Sequence, residues 1–274
     1  MVERNDCMPK KWFSTLVFLL GFVIFVSPFL LQGYHALRQT QVARKVDRRA
    51  MTLDTQVVNQ LTKKAEKRNN SNKTGVSEST MQSLGKKQQA DDTGFAIPDS
   101  DALGTISIPK INLHLPIYDG VSEKVLQKGA GLLPGSSIPL GGQGEHAVIT
   151  GHSGLPNKTL FTYIGRLKKG DRFFIQVLGK EFTYEVDQKK VVTPENVQDL
   201  VKHHPENFVT LVTCTPYGVN SHRLLVRGHL TNKVPIPTVI WEQWWFMALL
   251  AVGIMMFILI MVTIVKHLWH KQRR

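Results

Sequence analysis

The sequence predicts a mainly β domain, a barrel or a sandwich, held between two transmembrane helices and preceded by a helical stalk. Three observations predict this fold class. Two long apolar runs carry no charged residue, a polar stretch follows the first of them, and seven short apolar segments separated by Gly and Pro fill the region 95–231. Short segments of this kind, with few helical patterns among them, are typical of all-β architecture.

The first apolar run spans 12–31, and a helix needs roughly 20 residues to cross the hydrocarbon layer of a membrane. The alternatives are a buried core helix and a cleaved signal peptide, which the basic residues Arg4, Lys10 and Lys11 would also precede. Core helices rarely extend so far without a charged residue, and the end of the run lacks a clear small-x-small cleavage site. The run therefore predicts an uncleaved signal anchor, with 1–11 as a cytoplasmic tail.

The second apolar run, 244–265, predicts another transmembrane helix after a linker at 232–243. The final tail, 266–274, holds four Lys or Arg residues, and the first tail is basic too, so the positive-inside rule places both termini in the cytoplasm. Five basic residues soon after the first span count against this orientation, but long translocated regions weaken the rule. We therefore expect a two-pass protein of the cell membrane, with the region between the spans extracellular.

The segment 32–94 is expected to form a membrane-proximal helix and then a polar linker. Helix-forming residues dominate from Tyr34 to Arg68, with apolar positions at a loosely helical spacing and neither Gly nor Pro. From Asn69 to Gly94 the composition turns to Ser, Asn, Thr, Gln, Gly and Lys, with hardly an apolar residue. That composition is typical of a linker or a mobile stalk.

Strand patterns begin after Phe95 and continue through the region 95–231. The pair Gly179-Lys180 lies between two of the patterns and predicts a hairpin turn. The predicted strands are 104–108, 113–118, 145–150, 172–177, 181–186, 208–213 and 223–227.

The formal net charge of +13 suggests an acidic partner such as nucleic acid, but its distribution argues otherwise. Residues 32–94 carry 12 basic and 6 acidic side chains, whereas 95–231 carries 14 and 12. Because a nucleic-acid-binding domain needs its Lys and Arg on the folded surface, no nucleic-acid partner is expected. The membrane is the expected partner of the basic tails and stalk.

The two cysteines, Cys7 and Cys214, are predicted on opposite sides of the membrane, so they cannot pair within one chain. Exported proteins usually bridge their cysteines or avoid them. The unpaired Cys214 is therefore a candidate reactive thiol. The alternative is a small buried residue that serves only packing.

Three residues of complementary chemistry lie at the ends of predicted strands. Cys214 follows strand 208–213 and Arg223 opens the next strand, so pairing of these two strands would bring thiol and guanidinium to one edge of the sheet. His152 lies just past strand 145–150. A nucleophile, an imidazole that moves protons and a fixed cation are the groups that a thiol transferase needs.

The stretch from Thr210 to Gly228, TLVTCTPYGVNSHRLLVRG, resembles the active-site cysteine strand and the following arginine strand of the sortases. Its form is similar to the class C, pilus-assembly sortases of Gram-positive bacteria. The histidine region from Thr150 to Pro156, TGHSGLP, and the opening strands from Gly104 resemble the same branch. A membrane span at each end also fits class C. The resemblance covers roughly 95–231 and implies a sortase-like closed β-barrel with short helices.

The resemblance implies a cysteine transpeptidase, an acyl-transferring thiol protease that cleaves an LPxTG-like sorting signal between Thr and Gly. Cys214 would attack the Thr carbonyl and form a thioester, and His152 would act as general acid and then general base. Arg223 would hold the substrate carbonyl and stabilise the oxyanion. The substrates would be pilins or surface proteins. The acceptor would be a pilin lysine, in pilus polymerisation, or a cell-wall precursor amine, in wall anchoring. No cofactor and no metal are implied.

The sequence departs from class C in one respect. Class C sortases often carry a lid whose Asp-Pro-aromatic motif plugs the active site, and no such triplet precedes the barrel. The segment 96–101 has acidic residues near a proline but in another order. Asp99 and Asp101 are therefore considered as a plug over Cys214, with a solvent-exposed linker as the favoured interpretation.

Three rival interpretations of the site are weaker. Gly151-His-Ser153-Gly suggests the elbow of a serine hydrolase, but Leu155 occupies the position of the final Gly. Among the histidines, only the adjacent His203 and His204 approach the paired spacing of zinc ligands. The third rival is a membrane-tethered binding or scaffold barrel without catalysis, in which Cys214 is a packing residue.

Overall fold

A computed structural model of the chain describes residues 20, 21, 24, 27, 40–72, 75–84, 94–154, 158–201, 205–232, 253 and 255. The chain divides into two compact units, Met1–Val234 and Pro235–Arg274. The first unit contains the barrel and the helices before it. In the second unit only residues 253 and 255 are described, and both are helical.

No helix within the described ranges is both long enough and apolar enough to cross a membrane. The spans predicted at 12–31 and 244–265 lie outside the described residues, apart from six isolated helical positions. The predicted tails lie outside them as well, as does the linker 232–243 beyond its first residue. The domain boundaries and the two-pass topology therefore stay predictions.

Eight strands close into a barrel in the order β1-β2-β3-β4-β7-β8-β6-β5, with β5 pairing back onto β1. The parallel pairs are β2 with β3 and β4 with β7, and the other neighbours are antiparallel. The mainly β closed barrel is thus confirmed, and the sandwich is excluded. The strands are β1 (Gly104–Ile108), β2 (Leu113–Asp119), β3 (Ala130–Leu132), β4 (His146–Thr150), β5 (Arg172–Val177), β6 (Lys180–Val192), β7 (Phe208–Thr215) and β8 (His222–Leu230).

Strands β7 and β8 extend beyond their predicted bounds, and three other differences are larger. Strand β3 was not predicted, because three residues with a central Gly carry no alternation to recognise. Strand β6 has 13 residues, since its polar second half pairs with β8. The hairpin turn between β5 and β6 consists of Leu178 and Gly179, one residue earlier than expected. Both have positive φ, 50° and 78°, as a type I′ hairpin turn requires.

Alternation along the strands gives the barrel two apolar faces. Inward side chains such as Val209 and Leu211 of β7 fill the interior, where Phe173 stacks on Tyr184 with ring centroids 5.4 Å apart. Outward side chains of β4, β7 and β8 form a second group, the outer cluster, which includes Val148, Val212 and Leu225. An outer face that carries apolar side chains needs a cover.

Short helices surround the barrel, and some of them supply this cover. Helix α1 occupies residues 40–51, and its Asp47 accepts a hydrogen bond from the Thr105 hydroxyl at 2.6 Å. Asp54 caps the next helix by accepting from the Gln56 N–H at 2.7 Å. The remaining helices are α2 (Thr55–Ser71), α3 (Glu78–Ser83) and α4 (Glu123–Lys128), with 3₁₀ turns at Pro109–Ile111, Ile164–Arg166 and Gln198–Leu200.

The described part of 69–94 differs from the linker that its composition predicts. Helix α2 continues to Ser71 and α3 follows shortly after. Asn69 is buried, and its side chain bonds both the N–H and the carbonyl of Ile138. Met81 and Leu84 are buried too. Composition predicts the wrong structure for this segment, because its few apolar residues are the ones that pack against the outer cluster.

Helix α2 is fastened to the barrel by a buried ion pair. The two terminal nitrogens of Arg68 donate to the two carboxylate oxygens of Asp119, at 2.7 and 2.9 Å. Asp119 ends β2, its side chain is 3% exposed, and it also accepts from the Phe95 N–H at 3.0 Å. A bidentate pair fixes both position and orientation. It therefore sets where the chain leaves α2 toward α3.

Replacing Arg68 by Leu is expected to lower the free energy of unfolding by about 3 kcal/mol, because it removes a bidentate cationic partner from the buried Asp119 carboxylate. Urea unfolding of the full chain in detergent measures the change. Lys64→Leu, at an exposed position of the same helix, is the matched control and should change stability little. A loss below about 1 kcal/mol in Arg68→Leu, as for an exposed pair, would contradict the assignment.

Candidate active site

Strand pairing assembles the three residues singled out in the sequence. Strand β7 lies between β4, which is parallel to it, and β8, which is antiparallel. Its register pairs Cys214 directly with Arg223 and aligns Thr150 of β4 with Val212. His152, two residues beyond Thr150, therefore reaches the level of Cys214. All three line one cleft of about 660 Å³.

Alternation also places the three side chains on the same face. Cys214 follows the outward-facing Val212 by two residues, and Arg223 precedes the outward-facing Leu225 by two. The cleft therefore opens on the outer face of the barrel, next to the outer cluster. The sequence-based expectation that Cys214, Arg223 and His152 share one edge agrees with this arrangement.

Side-chain hydrogen bonds hold the histidine turn against β7. The Ser153 hydroxyl donates to the Cys214 carbonyl at 2.8 Å, and the Thr213 hydroxyl donates to the Gly151 carbonyl at 2.8 Å. Thr150 adds a bond to the Val212 carbonyl at 3.1 Å. Ser153, considered above as a hydrolase nucleophile, thus anchors the backbone that carries the cysteine. These cross-links fix the spacing between the His152 and Cys214 backbones.

Arg223 is a buried cation, 4% exposed, held by main-chain carbonyls. One terminal nitrogen donates to the carbonyls of Asn220 and His222, at 3.0 and 3.1 Å. The other donates to the Leu84 carbonyl at 2.8 Å. Its Nε finds no hydrogen-bond partner in the part of the chain that the structure describes. A fixed guanidinium with a donor to spare suits the binding of negative charge.

Two opposing effects act on the Cys214 thiol, which is half-buried in the cleft. Burial raises its pKa above the ordinary value, and the Arg223 guanidinium lowers it in part. Burial is the larger effect, so the net direction is upward. A cation beside a thiol favours the thiolate. The cation does so, but desolvation outweighs it.

His152 is mostly buried and faces a carboxylate that the sequence did not single out. Its Nε2 lies 3.3 Å from Oε2 of Glu123, the first residue of α4. No sequence motif marks Glu123, because it lies 29 positions before His152 and only the fold brings them together. No hydrogen bond joins His152 to Cys214 among the described residues.

A segment outside the barrel, residues 75–84, covers the outer cluster beside the cleft, and we call it the covering segment. It contains α3, which Ser77 caps, and its Val76, Met81 and Leu84 are buried in the outer cluster. Gln82 and Leu84 line the cleft. The Leu84 carbonyl bonds Arg223, so the main chain of this segment reaches the arginine itself.

Asp99 and Asp101 do not form the plug considered from the sequence. Asp99 is 76% exposed and pairs with Arg49, while Asp101 is 87% exposed with Lys128 at 3.9 Å. Neither lines the cleft. The favoured interpretation, an exposed linker, agrees with these positions.

The described histidines do not converge on a metal site. His146 is buried on the outer face, where its Nε2 bonds the Thr210 hydroxyl at 2.8 Å, and the exposed His222 bonds the Ser221 hydroxyl. His203 and His204 lie outside the described residues. Within the described ranges no three His, Cys, Asp or Glu side chains are grouped as metal ligands.

Comparison with known proteins identifies the relatives of this barrel. The Sortase domain model matches residues 106–231. Sortase A of Bacillus anthracis is 29% identical over 226 residues, covering 80% of this chain and 93% of that protein. The crystal structure of a sortase C-1 variant from S. pneumoniae is 39% identical, with a TM-score of 0.65, covering 72% of this chain and 100% of that one. A pilus-related sortase C of Group B Streptococcus is 42% identical, with a TM-score of 0.62 over 70% and 97% of the chains.

Weakening the covering segment is expected to expose the thiol. Met81→Ala combined with Leu84→Ala removes side chains whose truncation typically costs 2–5 kcal/mol each, and each 1.4 kcal/mol changes an open population about tenfold. Alkylation of Cys214 by iodoacetamide should therefore speed up by about tenfold or more. Ser79→Ala, at an exposed position of the same helix, is the control. Unchanged alkylation in a double variant with native circular dichroism would contradict the covering role.

The alkylation rate should also report the pKa of Cys214. Because burial raises that pKa, the rate is expected to rise with a midpoint at higher pH than for a solvent-exposed cysteine. Arg223→Gln removes the charge that lowers the pKa, so its midpoint should lie higher still. The exposed cation Lys180, changed to Gln, serves as the control. A midpoint at lower pH in Arg223→Gln would show that the sign is wrong.

Proposed function

This chain belongs to the sortase family, and from that premise we propose that it is a membrane-anchored cysteine transpeptidase. It cleaves an LPxTG-like sorting signal between Thr and Gly and transfers the acyl group to an amine. One observation carries the proposal. The pairing of β7 with β4 and β8 brings Cys214, His152 and Arg223 to one cleft, as acyl transfer through a thioester requires.

Cys214 is the proposed nucleophile. Its thiolate attacks the carbonyl carbon of the substrate Thr, a C–S bond forms, and the carbonyl electron pair moves onto oxygen. Because burial raises the pKa of the thiol, its proton must be removed during the reaction. His152 takes this proton, and the imidazolium so formed later protonates the Gly amine. The tetrahedral intermediate collapses with loss of the Gly amine and leaves the acyl group on sulfur.

Arg223 is proposed to stabilise the oxyanion of that intermediate. Its guanidinium is fixed by carbonyls on one side, so it need not reorganise as charge develops, which is the condition for effective electrostatic stabilisation. The nitrogen that bonds the Leu84 carbonyl already binds a carbonyl oxygen in the resting protein. A substrate carbonyl that binds this nitrogen must therefore displace Leu84 from Arg223, whereas Nε has no partner to displace among the described residues.

His152 is the proposed acid and base. As imidazolium it protonates the departing Gly amine, and as imidazole it takes a proton from the incoming amine, which attacks the thioester and releases the thiolate. The incoming amine is proposed to be a lysine of another pilin subunit, so that repeated transfer polymerises a pilus. The class C neighbours among the solved structures, one of which is described as pilus-related, support this choice over a wall-precursor amine.

The surroundings of the barrel follow from the same proposal. The uncharged runs at 12–31 and 244–265 hold the barrel against the outer side of the cell membrane, with both termini in the cytoplasm. The substrates would then be exported pilins or surface proteins beside it. The basic stretch 32–94 would lie close to the membrane surface.

Incubating the full chain in detergent with an LPxTG-type peptide and a lysine-containing peptide should yield the ligated product, measured by mass spectrometry. Cys214→Ala should abolish both product and thioester. His152→Ala and Arg223→Gln should slow transfer by roughly 10²-fold or more. Cys7→Ala, which removes the other thiol, is the matched control and should retain activity. Absence of thioester and cleavage with every sorting peptide would favour the scaffold barrel instead.

A further inference from the structure

The carboxylate of Glu123 faces the ring nitrogen of His152 that points away from solvent. Nε2 of His152 lies 3.3 Å from Oε2 of Glu123, and it has no aligned hydrogen bond within the described residues. The pair is therefore within ion-pair distance but not yet in hydrogen-bond alignment. Catalytic hydrogen bonds are often long or poorly aligned before substrate binds.

Glu123 is held in this position by other side chains, although it is 48% exposed. Its Oε1 accepts from the Gln127 side-chain amide at 2.7 Å, one helical turn along α4. Lys158 donates to the Gln127 side-chain oxygen at 3.1 Å and to the Gln127 carbonyl at 2.6 Å. One oxygen of Glu123 is thereby used for anchoring and the other faces His152. An exposed glutamate without such support would lose side-chain entropy to stay here.

The other charged groups near His152 do not duplicate this contact. Cys214 of β7, Arg223 of β8 and Glu195 of the loop after β6 line the same cleft. Lys158 lies on the far side of Gln127. Glu123 is the carboxylate within ion-pair distance of the imidazole among the described residues.

We propose that Glu123 is a positioning residue for His152. The carboxylate accepts from Nε2–H, which leaves Nδ1 as the nitrogen that gives a proton to the leaving amine and takes one from the incoming amine. It also stabilises the imidazolium whenever the ring carries both protons. This inference rests on the proposed transpeptidase function, and it assigns Gln127 and Lys158 to the support of the same acid and base.

The test compares two substrates that differ in one atom. In the LPxTG-type peptide, the C–N bond breaks only when the departing nitrogen receives a proton. In the analogue with sulfur in place of the Gly nitrogen, the C–S bond breaks and the leaving group departs as a thiolate, which needs no proton. A defect in proton donation to the leaving group must therefore lower the rate for the amide more than the rate for the thioester, because the thioester needs only the removal of the Cys214 proton. A defect in folding or substrate binding lowers both rates equally.

Glu123→Gln is expected to reduce kcat/KM for the amide by about tenfold or more, part of the 10²- to 10⁴-fold that general acid and base catalysis supplies, with a clearly smaller loss for the thioester. Glu123→Asp keeps the charge but is one methylene shorter, so the same pattern is expected. Gln127→Leu should give a smaller loss. The exposed neighbour Lys124, changed to Gln, is the matched control and should match wild type on both substrates.

The outcomes separate this inference from the proposed function. Equal losses on both substrates in Glu123→Gln, or full amide activity in Glu123→Asp, would overturn the positioning role while the transpeptidase stands. In the His152→Ala background, Glu123→Gln should cause no further loss on the amide, and an additional loss would also overturn it. A wild-type chain that cleaves neither substrate refutes the function and this inference together. The ¹⁵N signals of the His152 ring should change in Glu123→Gln, and unchanged signals would count against the contact.

Discussion

The central position of β7 between β4 and β8 is the constraint on which the site depends. A strand with hydrogen-bonded neighbours on both sides has its register fixed twice, and a slip of one residue would turn Cys214 into the barrel interior. The inward residues Val209 and Leu211 make such a slip costly, since they would leave the core. Packing of the barrel therefore holds the thiol on the outer face, opposite Arg223.

The outer face carries both the site and an apolar surface, and the two are connected. Val148, Val212 and Leu225 lie on the same strands, two or four residues from His152, Cys214 and Arg223. An apolar face of this kind lowers its free energy by taking a cover, at roughly 1.5–3 kcal/mol for each large side chain buried. The covering segment supplies Met81 and Leu84, and the Arg68–Asp119 ion pair directs the chain toward them. As a consequence, the substrate and the covering segment compete for the Arg223 guanidinium.

Burial and the neighbouring guanidinium act in opposite directions on the pKa of Cys214. Burial raises this pKa, because a thiolate loses more hydration than a thiol. The guanidinium of Arg223 beside it is held by three main-chain carbonyls. The resting cleft thus combines a protonated nucleophile with a permanent cation. The Cys214 thiol becomes a reactive nucleophile only when its proton is removed. The position of the His152 ring is important for this reason.

The mainly β class, seven of the eight strands and the family could all be predicted from the amino-acid sequence, because alternation and a long cysteine motif are local properties of the chain. It also singled out Cys214, His152 and Arg223, since each stands at the end of a recognisable strand. Three features became visible only in the folded chain: the barrel closes through the short β3, residues 75–84 cover the outer face beside the cleft, and Glu123 lies next to His152. These features depend on contacts between residues far apart in the chain. No local pattern of amino acids predicts which distant surface a short helix will pack against.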